Sequence, residues 1–169
     1  MKTELLDKNQ IAQKIERISF EIYEQFHNES QIFIGGIEGN GFIFAERLVE
    51  QIKKIASTDK ILADITLFLI KINKDAPLTE NITLNINTEQ LKNANIILAD
   101  DVINSGRTMI YAVKHILSTP LKSLKTAVLV NRTHRRFPIS ADFVGMAIST
   151  TLQDKIKVEF DKKESAYLV

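Results

Sequence analysis

The alternation of buried-strand runs with amphipathic helices is the tightest constraint on this chain. "QIFIGG" (31–36), "NIILAD" (95–100) and "KTAVLV" (125–130) are short apolar runs that read as buried strands, and "KILADITLFLI" (60–70) reads as a longer one rich in β-branched residues. Between them lie helical periods. Ile11, Ile15, Ile18, Ile22 and Phe26 recur at steps of four, three, four and four, which predicts one buried face on a helix over 7–27. Asp7 and Gln10 have the spacing of a capping box at its start. Ala45, Leu48, Val49, Ile52 and Ile55 predict a second helix over 41–55. Met109, Ala112, Val113, Ile116 and Leu117 predict a third over 107–118, stopping before Pro120. "ADFVGMAI" (141–148) and "KIKVEF" (155–160) are further strands. Strands alternating with helices make an α/β domain with a mainly parallel sheet, and 169 residues without repeats or linkers suit a single domain over 1–169. In such sheets ligands bind beyond the carboxyl ends of the strands. Three loops fall there: 35–41, 100–108 and 131–138. Residues 71–92 are polar, contain Pro77 and four Asn, and read as a long excursion with a weak strand near "ITLNI".

Composition narrows the function. A net charge of +1 gives no global basic field for nucleic acid, and the absence of Cys excludes disulfides and thiolate metal sites. The three His are too scattered for a zinc helix. The polar N-terminus is unlike a signal peptide, and the longest apolar stretch is too short and too polar to span a bilayer, so the expected location is the cytoplasm.

The loop 100–108 carries the chemistry. A core strand ends in two adjacent carboxylates, Asp100 and Asp101, and Asn104, Ser105, Gly106, Arg107 and Thr108 then lead into a helix. A turn entering a helix exposes unpaired N–H groups at the positive end of the helix dipole, where phosphate binds. Gly106 permits close backbone approach. Two carboxylates repel phosphate but suit vicinal hydroxyls, and they can hold Mg²⁺ directly or through water. Phosphate at one end and a diol at the other describes a ribose 5-phosphate. Composition alone would equally suit a capped helix beside two solvated acids. In loop 35–41, Gly36 and Gly41 have P-loop spacing, but Phe42-Ile43 replaces the required Lys-Ser/Thr, so ATP binding by that motif is rejected. Arg132, His134, Arg135 and Arg136 form the densest basic cluster.

"IILADDVINSGRT" resembles the phosphoribosyl pyrophosphate signature of type I phosphoribosyltransferases. From about residue 5 to about 160, through "LLDKNQIAQKIERISFEI", "ADITLF" and "VLVNRTHRRFPISADFVG", the chain is similar to the bifunctional pyrimidine-operon attenuation regulators that are also uracil phosphoribosyltransferases. The resemblance implies the type I phosphoribosyltransferase fold with a small hood, assigned here to 71–90 plus the C-terminal tail. It implies that Asp100 and Asp101 meet the ribose and Mg²⁺, and that Asn104 to Thr108 cradle the 5-phosphate. The backbone of Gly36, Ile37, Glu38, Gly39, Asn40 and Gly41 would receive pyrophosphate, and Val130, Asn131 and Arg132 would lie at the base. Implied partners are phosphoribosyl pyrophosphate and a nucleobase or nucleotide, with a homodimer or homotetramer as the assembly.

Two departures stand out. The family's pyrophosphate loop reads Gly-Ile-Lys-Thr-Arg-Gly, whereas Glu38-Gly39-Asn40 here has lost two cations and gained an anion. Gln13, Glu16, Phe20, Gln25, Ser140 and Met146 stand where the regulators' RNA surface is expected to be polar or basic. Because RNA affinity depends on phosphate neutralisation, the sequence places transferase above RNA-binding regulator.

Overall fold

The computed structural model describes residues 2–58, 61–62, 64–151 and 153–169. Its main sheet contains β2 (Gln31–Ile37), β3 (Asp64–Lys71), β4 (Thr83–Leu84), β5 (Asn95–Ile103), β6 (Ser123–Arg132) and β7 (Phe143–Ile148), in the order β4-β3-β2-β5-β6-β7. All pairings are parallel except that of the edge strand β4 with β3. Helix α1 (Lys8–Phe26) and helix α2 (Asn40–Ala56) cover one face, and helix α3 (Arg107–Ile116) covers the other. Strand alternation divides the core accordingly. Ile32, Ile34, Ile97, Ala99 and Leu129 pack with α1 and α2, while Phe33, Ile96, Leu98 and Val128 pack with Met109, Ala112 and Ile116 of α3.

The helix starts follow local chemistry. Asp7 accepts from the Gln10 amide at 2.8 Å while the Gln10 side chain accepts from the Asp7 amide at 2.9 Å, completing the capping box. The five predicted α1 positions are all buried. Both other helices begin after a glycine with positive φ, Gly39 at +90° before α2 and Gly106 at +83° before α3.

A second sheet has three strands in the order β1-β9-β8, from β1 (Thr3–Asp7), β8 (Ile156–Glu159) and β9 (Ser165–Leu168). The tail thus joins the N-terminal residues, which give no strand signal in the sequence, while residues 71–90 follow the far edge of the main sheet through β4. β9 was also unforeseen. Both short strands form because each finds an antiparallel partner far away in sequence.

Other boundaries shift for the same reason. The strand expected over 60–70 begins at Asp64, because β2 supplies no partner before Gln31; Ile61 and Leu62 form a bend, and 60 and 63 lie outside the described residues. β5 runs past the expected end to Ile103, since Asp100, Val102 and Ile103 pair with Val128, Val130 and Asn131 of β6. The two aspartates therefore stand on a strand rather than in a loop. α3 ends at Ile116, two residues early, and the chain turns through Leu117–Thr119. Among the described residues, no helix is long and apolar enough to cross a membrane.

Candidate active site

β5 carries Asp100 to the end of the sheet, where the first turn of α2 lies over it. Gly41 makes this possible: a Cβ there would sit 2.5 Å from Asp100 Oδ1. Asp100 is almost fully buried, and its Oδ1 accepts from the Asp101 amide at 2.9 Å. Burial, reinforced by the neighbouring Asp101 charge, holds the Asp100 carboxyl well above the usual carboxylate range. Lys74 opposes that shift, with Nζ 3.6 Å from Oδ1.

A cleft of about 400 Å³ opens here. Its floor is Asp100, Asp101 and the turn Asn104–Gly106, with Thr108 and Met109 from the first turn of α3. The N–H groups of that turn have no intrahelical acceptor, so they suit an anion. Its roof is β8 with Tyr167 of β9, and Lys74 and Asn40 close the sides. The turn is held from behind. Ser105 O accepts from the amides of Arg136 at 3.1 Å and Phe137 at 3.0 Å, and Ser105 Oγ accepts from the Arg107 amide at 3.2 Å. A Cβ on Gly106 would meet Ile139 at 2.8 Å.

The expected phosphate-loop residues divide. Ser105, Gly106 and Thr108 line the cleft. Asn104 also lines it, but its amide is engaged with β8: Nδ2 donates to Ile156 O at 3.2 Å and Oδ1 accepts from the Ile156 amide at 3.1 Å. Arg107 is not among the lining residues; its Nη2 donates to Lys74 O at 3.0 Å, and its buried Nε has no partner. Of the residues 36–41, Asn40 alone lines the cleft, and its Nδ2 donates to Val158 O at 2.7 Å. Gly36 is buried, with a Cβ there 2.7 Å from Phe42 Cα, and Ile37 is a core residue. Glu38 is exposed and stands 3.9 Å from Lys71, and Gly39 opens onto free space.

The three residues read as base-facing do not line the cleft. Val130 is fully buried, Asn131 accepts from Arg135 Nη1 at 2.8 Å, and Arg132 donates to Thr150 Oγ1 and Thr151 O, each at 2.6 Å. Lys157, Glu159 and Tyr167 are cleft residues that the sequence did not single out; Lys74, which the sequence offers beside Lys71 as a substitute for the arginine at the start of the family's hood, lines the cleft with them. The alternation in "KIKVEF" could have flagged Lys157 and Glu159, which share one strand face while Ile156 and Val158 are buried. Lys157 faces Tyr167 in register, and the Tyr167 hydroxyl donates to Glu159, holding that carboxyl below its usual range.

An anion-ready helix start, two carboxylates near the C-terminal end of a central parallel strand and a roof built from the C-terminal strands meet in one cleft. The phosphoribosyl transferase domain matches residues 1–162, and the chain belongs to that family. Within it, the chain is similar to the bifunctional protein PyrR of Streptococcus suis, 34% identical over 174 residues that cover 100% of this chain and 98% of that one. It is 31% identical to the bifunctional protein PyrR of Bacillus subtilis, over 99% of this chain and 95% of that one. The fold matches a hypoxanthine-guanine phosphoribosyltransferase from Bacillus anthracis with a TM-score of 0.70 at 24% identity, over 88% of this chain and 84% of that one. It also matches the Trypanosoma cruzi hypoxanthine phosphoribosyl transferase with a TM-score of 0.71 at 18% identity, over 88% and 78% of the two chains.

Proposed function

We propose that this chain transfers the 5-phosphoribosyl group of phosphoribosyl pyrophosphate to a nucleobase, uracil before others, and releases pyrophosphate. The observation that carries the reading is the placement of Asp100 and Asp101 beside Ser105, Gly106 and Thr108 in one cleft. Thr108 and the first-turn amides of α3 hold the 5-phosphate. Asp100 and Asp101 accept hydrogen bonds from the ribose hydroxyls. As the C1–O bond breaks, its electron pair goes to the pyrophosphate oxygen. A lone pair on the base nitrogen forms the C1–N bond, and the N–H proton of the base is lost to water. The oxocarbenium character that develops at the sugar lies near two carboxylates, which stabilise positive charge.

The residues fit Mg²⁺ as a shared ligand. No group of three or more His, Cys, Asp or Glu that could hold a metal occurs among the described residues, so the chain offers two carboxylates and leaves the other positions to water and substrate oxygens. Asp100 and Asp101 would hold the ion, which supplies charge neutralisation to the phosphates when bound. A cytoplasmic location and a homodimer or homotetramer belong to the same reading. Incubation with Mg²⁺, phosphoribosyl pyrophosphate and each free base, with release of pyrophosphate followed, tests it. Turnover with uracil is expected; silence with every base would overturn the transferase reading.

The regulator reading is less favoured by the basic side chains themselves. Arg17 bonds Glu21 and the carbonyls of Val144 and Gly145, Arg132 bonds Thr150 and Thr151, and Arg135 bonds Asn131. Arginines held by the fold contribute little to RNA phosphates. RNA affinity that falls steeply with salt would reverse this preference.

A further inference from the structure

Loop 36–41 offers the pyrophosphate no cationic side chain, and its one ionisable residue is Glu38. The charge that collects on pyrophosphate as the C1–O bond breaks must be met elsewhere. Two lysines line the cleft, Lys74 after β3 and Lys157 on β8, and they are the only Lys or Arg among its described lining residues.

Each is placed by backbone bonds that fix its position in the wall. Asn73 Oδ1 accepts from the amides of Asp75 at 3.1 Å and Ala76 at 3.0 Å, building a turn around Lys74. Arg107 then ties the Lys74 carbonyl to the start of α3. Lys157 lies between two residues fastened to the two loops, Ile156 through Asn104 and Val158 through Asn40. The strand that bears Lys157 is thereby fastened to the phosphate turn on one side and to loop 36–41 on the other.

We propose that Lys74 and Lys157 receive the pyrophosphate leaving group, in place of the cations absent from loop 36–41. The inference rests on the phosphoribosyl-transfer reading. Before ligand binds, the Lys74 ammonium offsets the buried charge of Asp100. Its 3.6 Å separation from Oδ1 exceeds hydrogen-bond length, so its flexible stem can turn the ammonium toward an arriving anion. Lys157 lines the same cleft from β8.

Calorimetric titration of the full chain in Mg²⁺, with inorganic pyrophosphate and separately with ribose 5-phosphate, tests the assignment. Lys74→Met and Lys157→Met should each weaken pyrophosphate by about 10-fold, the loss expected for one charge-assisted bond. Ribose 5-phosphate should stay within about twofold, and Lys157→Arg should keep pyrophosphate affinity. A double Met variant that binds pyrophosphate like the unaltered protein would overturn the proposal. So would an equal loss of both ligands, which would mean a damaged cleft. An unaltered protein that binds pyrophosphate but not ribose 5-phosphate would overturn the phosphoribosyl reading and leave the lysine site standing; binding of neither would overturn both.

Discussion

The turn at 104–106 and the loop at 36–41 occupy equivalent places, each between a central parallel strand and a helix that starts after a positive-φ glycine. Their surroundings differ. The first is buttressed by the 136–139 segment and presents a hydroxyl and the Gly106 backbone to the cleft beside the two carboxylates of β5. The second presents only Asn40, whose amide is spent on β8. A shared backbone plan makes both loops possible anion sites. On the proposed reading, side-chain charge and buttressing let the first hold its ligand alone, while the second needs cations from neighbouring elements.

The largest effect on binding should come from the acidic pair. Asp100→Asn combined with Asp101→Asn should weaken phosphoribosyl pyrophosphate by about 100-fold in calorimetry, because two charge-assisted acceptors are lost. Unchanged affinity would remove the ribose assignment.

The two glycines test the buttress. Gly106→Ala meets both a positive φ and Ile139, and should cost about 3 kcal/mol in chemical denaturation. Gly39→Ala meets only the positive φ and should cost about 1 kcal/mol. Equal costs would show that the third loop does not brace the phosphate turn.

Asp100→Asn alone tests burial. Because the folded state raises the Asp100 pKa, ionisation costs stability as pH rises from the ordinary carboxylate range toward that raised value. The variant should melt about 3 °C above the parent at pH 8. This advantage should shrink through the ordinary carboxylate range and vanish below it. A higher melting temperature that persists in acid would point to packing.

Asn40→Ala and Asn104→Ala test the fastening of β8. Each should cost about 1 kcal/mol and speed amide exchange at Ile156 and its neighbours. Exchange that quickens only in α2 or α3 would show that β8 is held by its core side chains. The smallest effect belongs to Glu38→Lys, which returns a cation to an exposed place and should tighten pyrophosphate about threefold at low salt.

Much of this was legible beforehand. The apolar periods located α1, α2 and α3 because one-sided burial leaves a 3.6-residue trace, and the motif around Asp100 marked the turn proposed to hold phosphate because the chemistry is contiguous in sequence. The boundaries of β3 and β5 were not legible, since a strand ends where its partner ends. β1 and β9 were invisible because each is a few residues long; β1 gains its hydrogen bonds from the other end of the chain, and β9 from β1 as well as from β8. Asn104 and Arg107 show the same limit inside the motif. Their positions were readable, but their side chains turn to Ile156 and to Lys74, on segments well separated in sequence.

By itself the sequence determined the α/β architecture and the family, and it marked the turn proposed to hold phosphate, because these rest on periodicity and on neighbouring residues. The tertiary structure alone decided that Asp100 is buried under Gly41, that Val130, Asn131 and Arg132 stay out of the cleft, and that Lys74 and Lys157 enter it. Those outcomes depend on which distant backbones approach one another, and chain folding sets that approach without leaving a local pattern.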